Sequence, residues 1–167
     1  EPVVLTCTGA TASRNYLPGL TEAYYRKLPV LAITSNQGRE KIGHLVAQNI
    51  DRRSLPDDVV RISVNIPVCN ETDEWNAMVE VNRAVLEMKR HGGGPAHIDV
   101  ATTYSTDFSV KELPSVRVME RITCSDVFPE ISVKGPVAVF VGAHHEWTEG
   151  QTEALDLFCE RNNAVVL

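Results

Sequence analysis

The sequence predicts an α/β fold in which a parallel sheet is flanked by helices. Short apolar runs that end in small or polar residues recur along the 167-residue chain, as expected for parallel strands buried on both faces. Segments with helical spacing of apolar residues separate these runs, and parallel strands need such crossover connections. The predicted strands comprise residues 3–6, 30–34, 59–64, 96–100, 137–141 and 164–167.

The first strand leads into a turn of small residues, Thr8–Ser13. A helix is predicted from about Leu20 to Lys27, because apolar side chains recur there at helical spacing. Pro29 ends this helix, since proline cannot continue it. The polar stretch from Ser35 to Pro56 is typical of a long functional loop, and we expect a short helix within it around Ile42–Asn49.

The clearest predicted helix covers Thr72–His91, where apolar residues recur at helical spacing. Trp75 lies on that apolar face and is expected in the core. The run Gly92–Pro95 is a strong signal for the end of a helix. His97, in the strand that follows, is expected to be a hydrogen-bonded histidine in the core or at the edge of the sheet.

A second α/β unit begins near residue 135, with a strand at Val137–Val141, a helix from about Thr148 to Arg161 and a strand at Ala164–Leu167. Thr148 and Gln151 fit a capping box. The unit stops on its second strand, so its sheet is expected to be incomplete, with an outer edge that should pair with something further.

Composition excludes some classes of partner. The net charge of −6 argues against nucleic acid and anionic membranes, and no apolar run approaches the roughly 20 residues of a membrane span. The cysteines are far apart and form no CxxC pair, which favours reduced thiols in a cytoplasmic protein. No histidine lies at a ligand spacing from a cysteine, so no metal ligand is predicted.

Three segments, in order, resemble the thiamine diphosphate (ThDP) enzymes. Residues 3–34 and the sequence Gly-Pro-Ala-His-Ile-Asp-Val at 94–100 are similar to the pyrimidine-binding (Pyr) domain of that family. The sequence at 135–142 looks like the first strand of its central domain. The resemblance therefore implies the C-terminal part of a Pyr domain at 1–107, a linker at 108–134 and the start of the central α/β domain at 135–167.

Within that family the likeness is strongest to the SEPHCHC synthases of menaquinone biosynthesis, or to a related acetolactate synthase-like enzyme. It rests on Cys7–Ala12 with Asn15, on Ala47–Asp51 and on Val60–Pro67. Such a synthase is a ThDP-dependent transferase, a carboligase that decarboxylates 2-oxoglutarate and joins the product to isochorismate. The resemblance thus implies a 2-oxo acid substrate, ThDP and Mg²⁺ in the full-length protein, and a homo-oligomer, either dimer or tetramer.

The resemblance also assigns site residues. A small-residue loop lies against the pyrimidine ring in this family, which marks Thr8, Gly9, Ala10, Thr11 and Asn15 as cofactor-binding. A glutamine of the synthases contacts substrate, which marks Gln48, with the adjacent Asn49, as substrate-binding. Arg52 is a further substrate-binding candidate from its own chemistry, because a guanidinium can bind a carboxylate bidentately. No catalytic residue is assigned within the chain.

Other interpretations of these residues remain open. Thr8–Thr11 could be the ordinary strand-to-helix turn of any doubly wound fold. Gln48 and Asn49 could be solvated loop residues, and Arg52–Arg53 a surface charge pair. As a whole, the chain could instead be a stand-alone α/β binding or regulatory module without catalysis.

We predict that the isolated chain does not bind ThDP measurably and is inactive. In this family, the glutamate that contacts the pyrimidine lies upstream of the first strand, and the Gly-Asp-Gly metal-diphosphate motif lies in a later domain. Neither is found in these 167 residues. Calorimetric titration with ThDP and magnesium measures the affinity. A micromolar dissociation constant would contradict the prediction.

Overall fold

A four-stranded parallel sheet organises the first part of the chain. Its strands are β1 (Val3–Cys7), β2 (Val30–Asn36), β3 (Ser63–Ile66) and β4 (Ala96–Ala101), in the spatial order β1-β2-β4-β3. Three helices accompany it, α1 (Ala10–Asn15), α2 (Leu17–Tyr25) and α3 (Glu74–Glu87). The predicted fold class, a parallel sheet with flanking helices, is confirmed.

This architecture comes from a computed structural model that describes residues 1–103, 109–113, 115–130 and 134–167. The chain divides into two units, Glu1–Arg121 and Ile122–Leu167. The assignment of domains with a linker at 108–134 stays a prediction, and residues 104–108, 114 and 131–133, in or beside that linker, lie outside the described residues. Within the described ranges, no helix has both the length and the apolar character that crossing a bilayer requires.

Each face of the four-stranded sheet has its own apolar core. On one face, Leu31, Val64 and Ile98 pack against Ala84 of α3 and Met88, the residue that follows it. On the other face lies a second cluster, formed by residues of α2, β2 and the loop before β3: Leu20, Ala32, Leu55, Val59 and Val60. The same second face carries the polar residues of the candidate site, because side chains alternate between faces along a strand.

Two local predictions, one directly after β1 and one at β3, were wrong. The turn predicted at Thr8–Ser13 is mostly helix, since α1 starts at Ala10 after an extended Gly9. Alanine is the best helix former, so small residues there permit a short helix as well as a turn. The strand predicted at 59–64 begins only at Ser63, because Val59 and Val60 are buried in the second cluster without joining the sheet.

The long loop and the α3 helix also differ from expectation. In place of a helix at Ile42–Asn49 there is a short 3₁₀ turn at Arg39–Lys41, and positive φ angles at Leu45 and Gln48 are incompatible with a right-handed helix there. Trp75 is 67% exposed rather than core. The buried side of α3 carries the smaller Ala84 instead, which lets the helix approach the sheet closely.

The helix predicted to run to His91 ends earlier than expected: α3 ends at Glu87, and a 3₁₀ turn at Arg90–Gly92 leads into the glycine run. Gly93 has a φ of 104°, and a side chain there would meet the Lys27 carbonyl oxygen at 2.6 Å. Only glycine combines that backbone angle with that close approach. The run returns the chain directly into β4, the central strand on which the candidate site depends.

The second unit contains a two-stranded parallel sheet, β5 (Val137–Val139) and β6 (Ala164–Val166), joined by α4 (Glu149–Asn162). The predicted capping box is confirmed: the Thr148 side chain accepts from the Gln151 backbone N–H, and the Gln151 side chain accepts from the Thr148 N–H. None of the residues of α4 is fully buried.

Candidate functional site

The candidate site lies at the carboxyl ends of β1, β2 and β4. Ligands of open parallel sheets collect at this edge. Here the chain leaves β1 through Thr8 and Gly9, and the loop after β2 returns with Gln48, Asn49 and Arg52. The structure thus brings together the two groups of residues predicted to bind cofactor and substrate.

Arg52 is the centre of this edge and is only 1% exposed. Its Nη1 donates to the carbonyl oxygens of Gly9, at 3.2 Å, and Thr8, at 3.5 Å. Its Nη2 donates to the Ser35 carbonyl at the end of β2 and lies 3.6 Å from Oδ1 of Asp99. The interpretation of Arg52 as a surface charge is therefore wrong. Whether it contacts substrate stays a prediction.

Asp99, the buried counter-ion of Arg52, is 3% exposed and is held by two residues of β2. Thr34 Oγ1 donates to its Oδ1 at 2.5 Å, and Asn36 Nδ2 donates to its Oδ2 at 2.7 Å. A buried carboxylate needs such donors because it has lost its water. The strands therefore fix the carboxylate, and the carboxylate in turn orients Arg52.

A chain of hydrogen bonds continues from Asp99 to β3. Since Thr34 gives its hydrogen to Asp99, its oxygen accepts from His97 Nε2 at 2.9 Å. His97 Nδ1 lies 3.3 Å from Ser63 Oγ, which itself accepts from the Leu55 backbone N–H. Ser63 therefore donates to Nδ1 of His97. A neutral His97 with its hydrogen on Nε2 gives each donor and acceptor in this row a partner.

Burial sets the charge of His97, which is 1% exposed. Loss of solvation lowers the pKa of His97 to about 4, against an opposing effect of Asp99 and with a further lowering by Arg52 and Arg14. The histidine is therefore neutral at pH 7. This confirms the prediction of a hydrogen-bonded core histidine.

The loop that carries Gln48 is tied to the same network. Asn36, which binds Asp99, also accepts from the Gly38 backbone N–H at 2.8 Å. Buried Asn49 donates to the Gly38 carbonyl at 3.4 Å. Asn49 is therefore held inside the loop, which excludes the interpretation of this residue as solvated.

Gln48 is exposed and bends over the loop after β1. Its backbone is left-handed, with φ of 62°, a conformation that few L-residues adopt. A methyl group on Gly9 would come within 2.8 Å of Gln48 Oε1. The predicted substrate residue and the predicted cofactor loop are therefore in direct proximity.

The remaining predicted cofactor residues form the outer surface of this edge. Thr8, Thr11 and Asn15 are exposed, and Gly9 and Ala10 are partly exposed. Arg14, from the same helix, donates to the Asp51 carbonyl at 3.2 Å, which joins α1 to the loop after β2. The surface available to a ligand is therefore lined by small side chains and backbone.

Asp51 and Arg53, on either side of Arg52, form an exposed pair. Arg53 Nη2 lies 2.6 Å from Asp51 Oδ2. Hydrogen bonds from Arg53 lower the pKa of Asp51 to about 2. Of the two adjacent arginines, Arg53 is thus the surface charge and Arg52 the buried one.

Sequence reasoning missed four residues of the site: Thr34, Asn36, Ser63 and Asp99. Their signal was polar side chains at alternate positions of otherwise apolar strands, the pattern of one buried polar face. In the register, Thr34 pairs with Asp99 and Ser63 with His97. The strand pairing, which sequence does not reveal, places them in one row.

Comparison with known proteins bears out the likeness to the synthases. The chain is 35% identical over 130 residues to the 2-succinyl-5-enolpyruvyl-6-hydroxy-3-cyclohexene-1-carboxylate (SEPHCHC) synthase of Bacteroides thetaiotaomicron, covering 77% of this chain and 23% of that protein. It is 35% identical over 122 residues to the synthase of the same name from Phocaeicola vulgatus, covering 72% of this chain and 22% of that protein. The chain therefore spans about a quarter of the length of the curated relatives it matches.

The comparisons with family models and with solved structures give less information than the sequence relatives. No family model matches the chain. A solved structure described as a thiamin diphosphate-dependent enzyme isolated from Mycobacterium smegmatis aligns with 69% of this chain and 22% of its own, at a TM-score of 0.49 and 18% identity. The likeness to the synthases thus rests on sequence.

We predict that acid weakens the first unit through His97. The unfolded histidine has a pKa of about 6.5 and the folded one about 4. The unfolded state therefore binds more protons between these values, and stability falls as pH drops from 6.5 to 4, by on the order of 3 kcal/mol. Urea unfolding of the chain across this range measures the loss.

The matched control for this prediction is His97→Gln, which retains hydrogen-bonding capacity without titrating. Its stability should be lower at pH 7 but change less between pH 6.5 and 4. The carboxyl groups of Asp51 and Glu87, whose pKa values are lowered in the folded state, also lose stabilisation towards the acid end of this window. They do so in both proteins, so the difference between wild type and His97→Gln isolates the histidine. Equal pH dependence of the two proteins would contradict the role given to His97.

Proposed function

We propose that this chain is part of a ThDP-dependent enzyme that decarboxylates a 2-oxo acid and transfers the product to an acceptor, as a SEPHCHC synthase-like carboligase. The observation that carries the proposal is the 35% identity over 130 residues to the Bacteroides thetaiotaomicron synthase. The structure supports it independently, because the loop after β1 and the segment around Gln48 meet at the ligand-binding edge of the sheet.

The residues of this edge fit one side of the cofactor. A flat aromatic ring needs a surface without bulky side chains, and Gly9 and Ala10 provide one at the start of α1. Thr8, Thr11 and Asn15 add exposed polar groups around it. These five residues would hold the pyrimidine part of ThDP, and residues elsewhere in the complete protein would hold its diphosphate and Mg²⁺.

When bound, ThDP supplies a nucleophilic carbon that attacks the 2-oxo acid and accepts the electron pair released with carbon dioxide. The role of this chain is to position the cofactor ring. Gly9 and its neighbours orient the ring, and the buried network from Arg52 to Ser63 keeps their backbone fixed. Precise placement of reacting groups is a large part of catalysis.

Gln48 and Asn49 have different roles in substrate binding: Gln48 contacts the substrate, and Asn49 supports the loop. The Gln48 side chain is exposed beside Gly9, where it can donate to a substrate carboxylate or carbonyl. Asn49 is buried and bonds the Gly38 carbonyl, so it supports the loop that presents Gln48.

The alternative function is a stand-alone α/β binding or regulatory module without catalysis. The coding sequence on either side of these residues discriminates the two. An upstream acidic helix and a downstream Gly-Asp-Gly motif would support the enzyme. In this family the cofactor lies between two subunits, so the complete enzyme would be at least a dimer. A reading frame confined to these residues would support the module.

We predict that Gln48→Ala in the complete protein raises KM for one substrate, or lowers kcat/KM, by roughly tenfold or more. The reason is the loss of a hydrogen bond to a charged group, which is worth about 1.5–3 kcal/mol. The affinity for ThDP should hardly change. Steady-state kinetics with donor and acceptor varied separately measure the effect.

Gln37→Ala is the matched control, because Gln37 is also an exposed glutamine of the same loop and has no role in the proposed site. It should leave both KM values unchanged. If Gln48→Ala behaves like Gln37→Ala, the proposed substrate contact is wrong and the synthase-like assignment falls with it. The broader assignment to ThDP chemistry would then depend on cofactor binding alone.

A further inference from the structure

We propose that Arg52 is a positioning residue: it fixes the carbonyl groups of Thr8 and Gly9 to the ends of β2 and β4 and does not bind substrate. The relevance of this role to a cofactor rests on the proposed function, whereas the role itself rests on contacts within the chain.

The contacts of Arg52 connect the loop to the sheet. One nitrogen, Nη1, donates to the loop carbonyls of Thr8 and Gly9. The other, Nη2, donates to Ser35 of β2 and lies 3.6 Å from Asp99 of β4. A planar guanidinium holds its donors in one fixed fork, so these partners are fixed relative to one another.

The loop cannot hold this position by itself. Its side chains are mostly small, and Ser13 Oγ makes only a local bond, to the Ala10 carbonyl at 2.7 Å. Arg14 reaches the Asp51 carbonyl in the loop after β2, but neither β2 nor β4. Tyr16 adds one bond to the Thr6 carbonyl, at 2.6 Å. Pairing of β1 with β2 ends at Cys7, so the side-chain contacts that connect the carbonyls of Thr8 and Gly9 to β2 and β4 run through Arg52.

Burial and charge argue against a substrate contact. Arg52 is 1% exposed, and Asp99, 3% exposed, already neutralises its charge. A substrate carboxylate would have to displace Asp99, which Thr34 and Asn36 hold in place. Among the described residues, Nε of Arg52 is buried without a hydrogen-bond partner, so a substrate contact at Nε is the competing outcome that the experiment must separate.

The test is hydrogen exchange of the peptide Thr8–Asn15 in the complete protein without ThDP, comparing wild type, Arg52→Lys and Arg53→Lys. Lysine keeps the charge but loses the fork. We expect roughly tenfold or faster exchange in Arg52→Lys. Arg53→Lys, a change of the neighbouring surface arginine, should match wild type. Unchanged exchange in folded Arg52→Lys would overturn the proposal.

Kinetics of the same variants provide the second readout. A positioning role predicts that Arg52→Lys raises the ThDP concentration needed for half-maximal activity, with each substrate KM within about twofold of wild type. A raised KM for one substrate with unchanged dependence on ThDP would show substrate binding instead. If the activity of the wild-type protein does not depend on ThDP, the proposed function is refuted. The positioning role of Arg52 is still tested in that case, because the exchange measurement does not depend on cofactor binding.

If Arg52→Lys fails to fold, Asp99→Asn answers the same question, because Arg52 then loses its counter-ion but keeps its carbonyl partners. Faster exchange confined to Thr8–Asn15 and the ends of β2 and β4 would support the proposal. Faster exchange throughout the first unit would overturn it, since Arg52 would then stabilise the fold in general rather than this loop.

Discussion

The buried pair of Arg52 and Asp99 is the interaction on which the carboxyl edge of the sheet depends. Removing two charges from water is expensive, and their mutual attraction compensates only if further hydrogen bonds satisfy both groups. Here Thr34 and Asn36 satisfy the carboxylate, and backbone carbonyls satisfy most of the guanidinium. The pair therefore contributes a defined geometry more than a large net stability, and that geometry joins the ends of β2 and β4 to two loops.

This arrangement divides the site into a rigid interior and an accessible surface. The interior row from Ser63 through His97 and Thr34 to Asp99 is closed and uncharged apart from the ion pair. The surface above it consists of small residues after β1 and of Gln48. An enzyme that orients an aromatic cofactor needs both properties, since the ring must approach the backbone closely and the backbone must not move.

Much of the fold could be predicted from sequence because its signals are local. Buried parallel strands are continuous apolar runs, and the capping box of α4 occupies four residues. The third strand was misplaced because Val59 and Val60 are as apolar as a strand but are buried under the sheet instead. An apolar run in the sequence indicates that a segment is buried, but a segment is a strand only if its backbone pairs with a neighbouring strand.

The site was predictable only in part, for the same reason. The positions of Thr8–Thr11 and Gln48 followed from resemblance and from the rule that ligands collect at the carboxyl edge. The burial of Arg52 did not, because two adjacent arginines in a polar loop are typical of a surface, and nothing local distinguishes Arg52 from Arg53. The difference arises from Asp99, 47 positions away in the sequence, and therefore from tertiary structure.

The measurement that tests this account most directly is a double-mutant cycle of Arg52→Gln and Asp99→Asn, read from the free energy of unfolding. Each single change leaves a buried charge without its partner, which costs about 3–5 kcal/mol. If the pair organises the edge, the double variant should be less destabilised than the sum of the two, with a coupling of about 1–3 kcal/mol. Additive losses would show that the two residues act independently and would contradict the account.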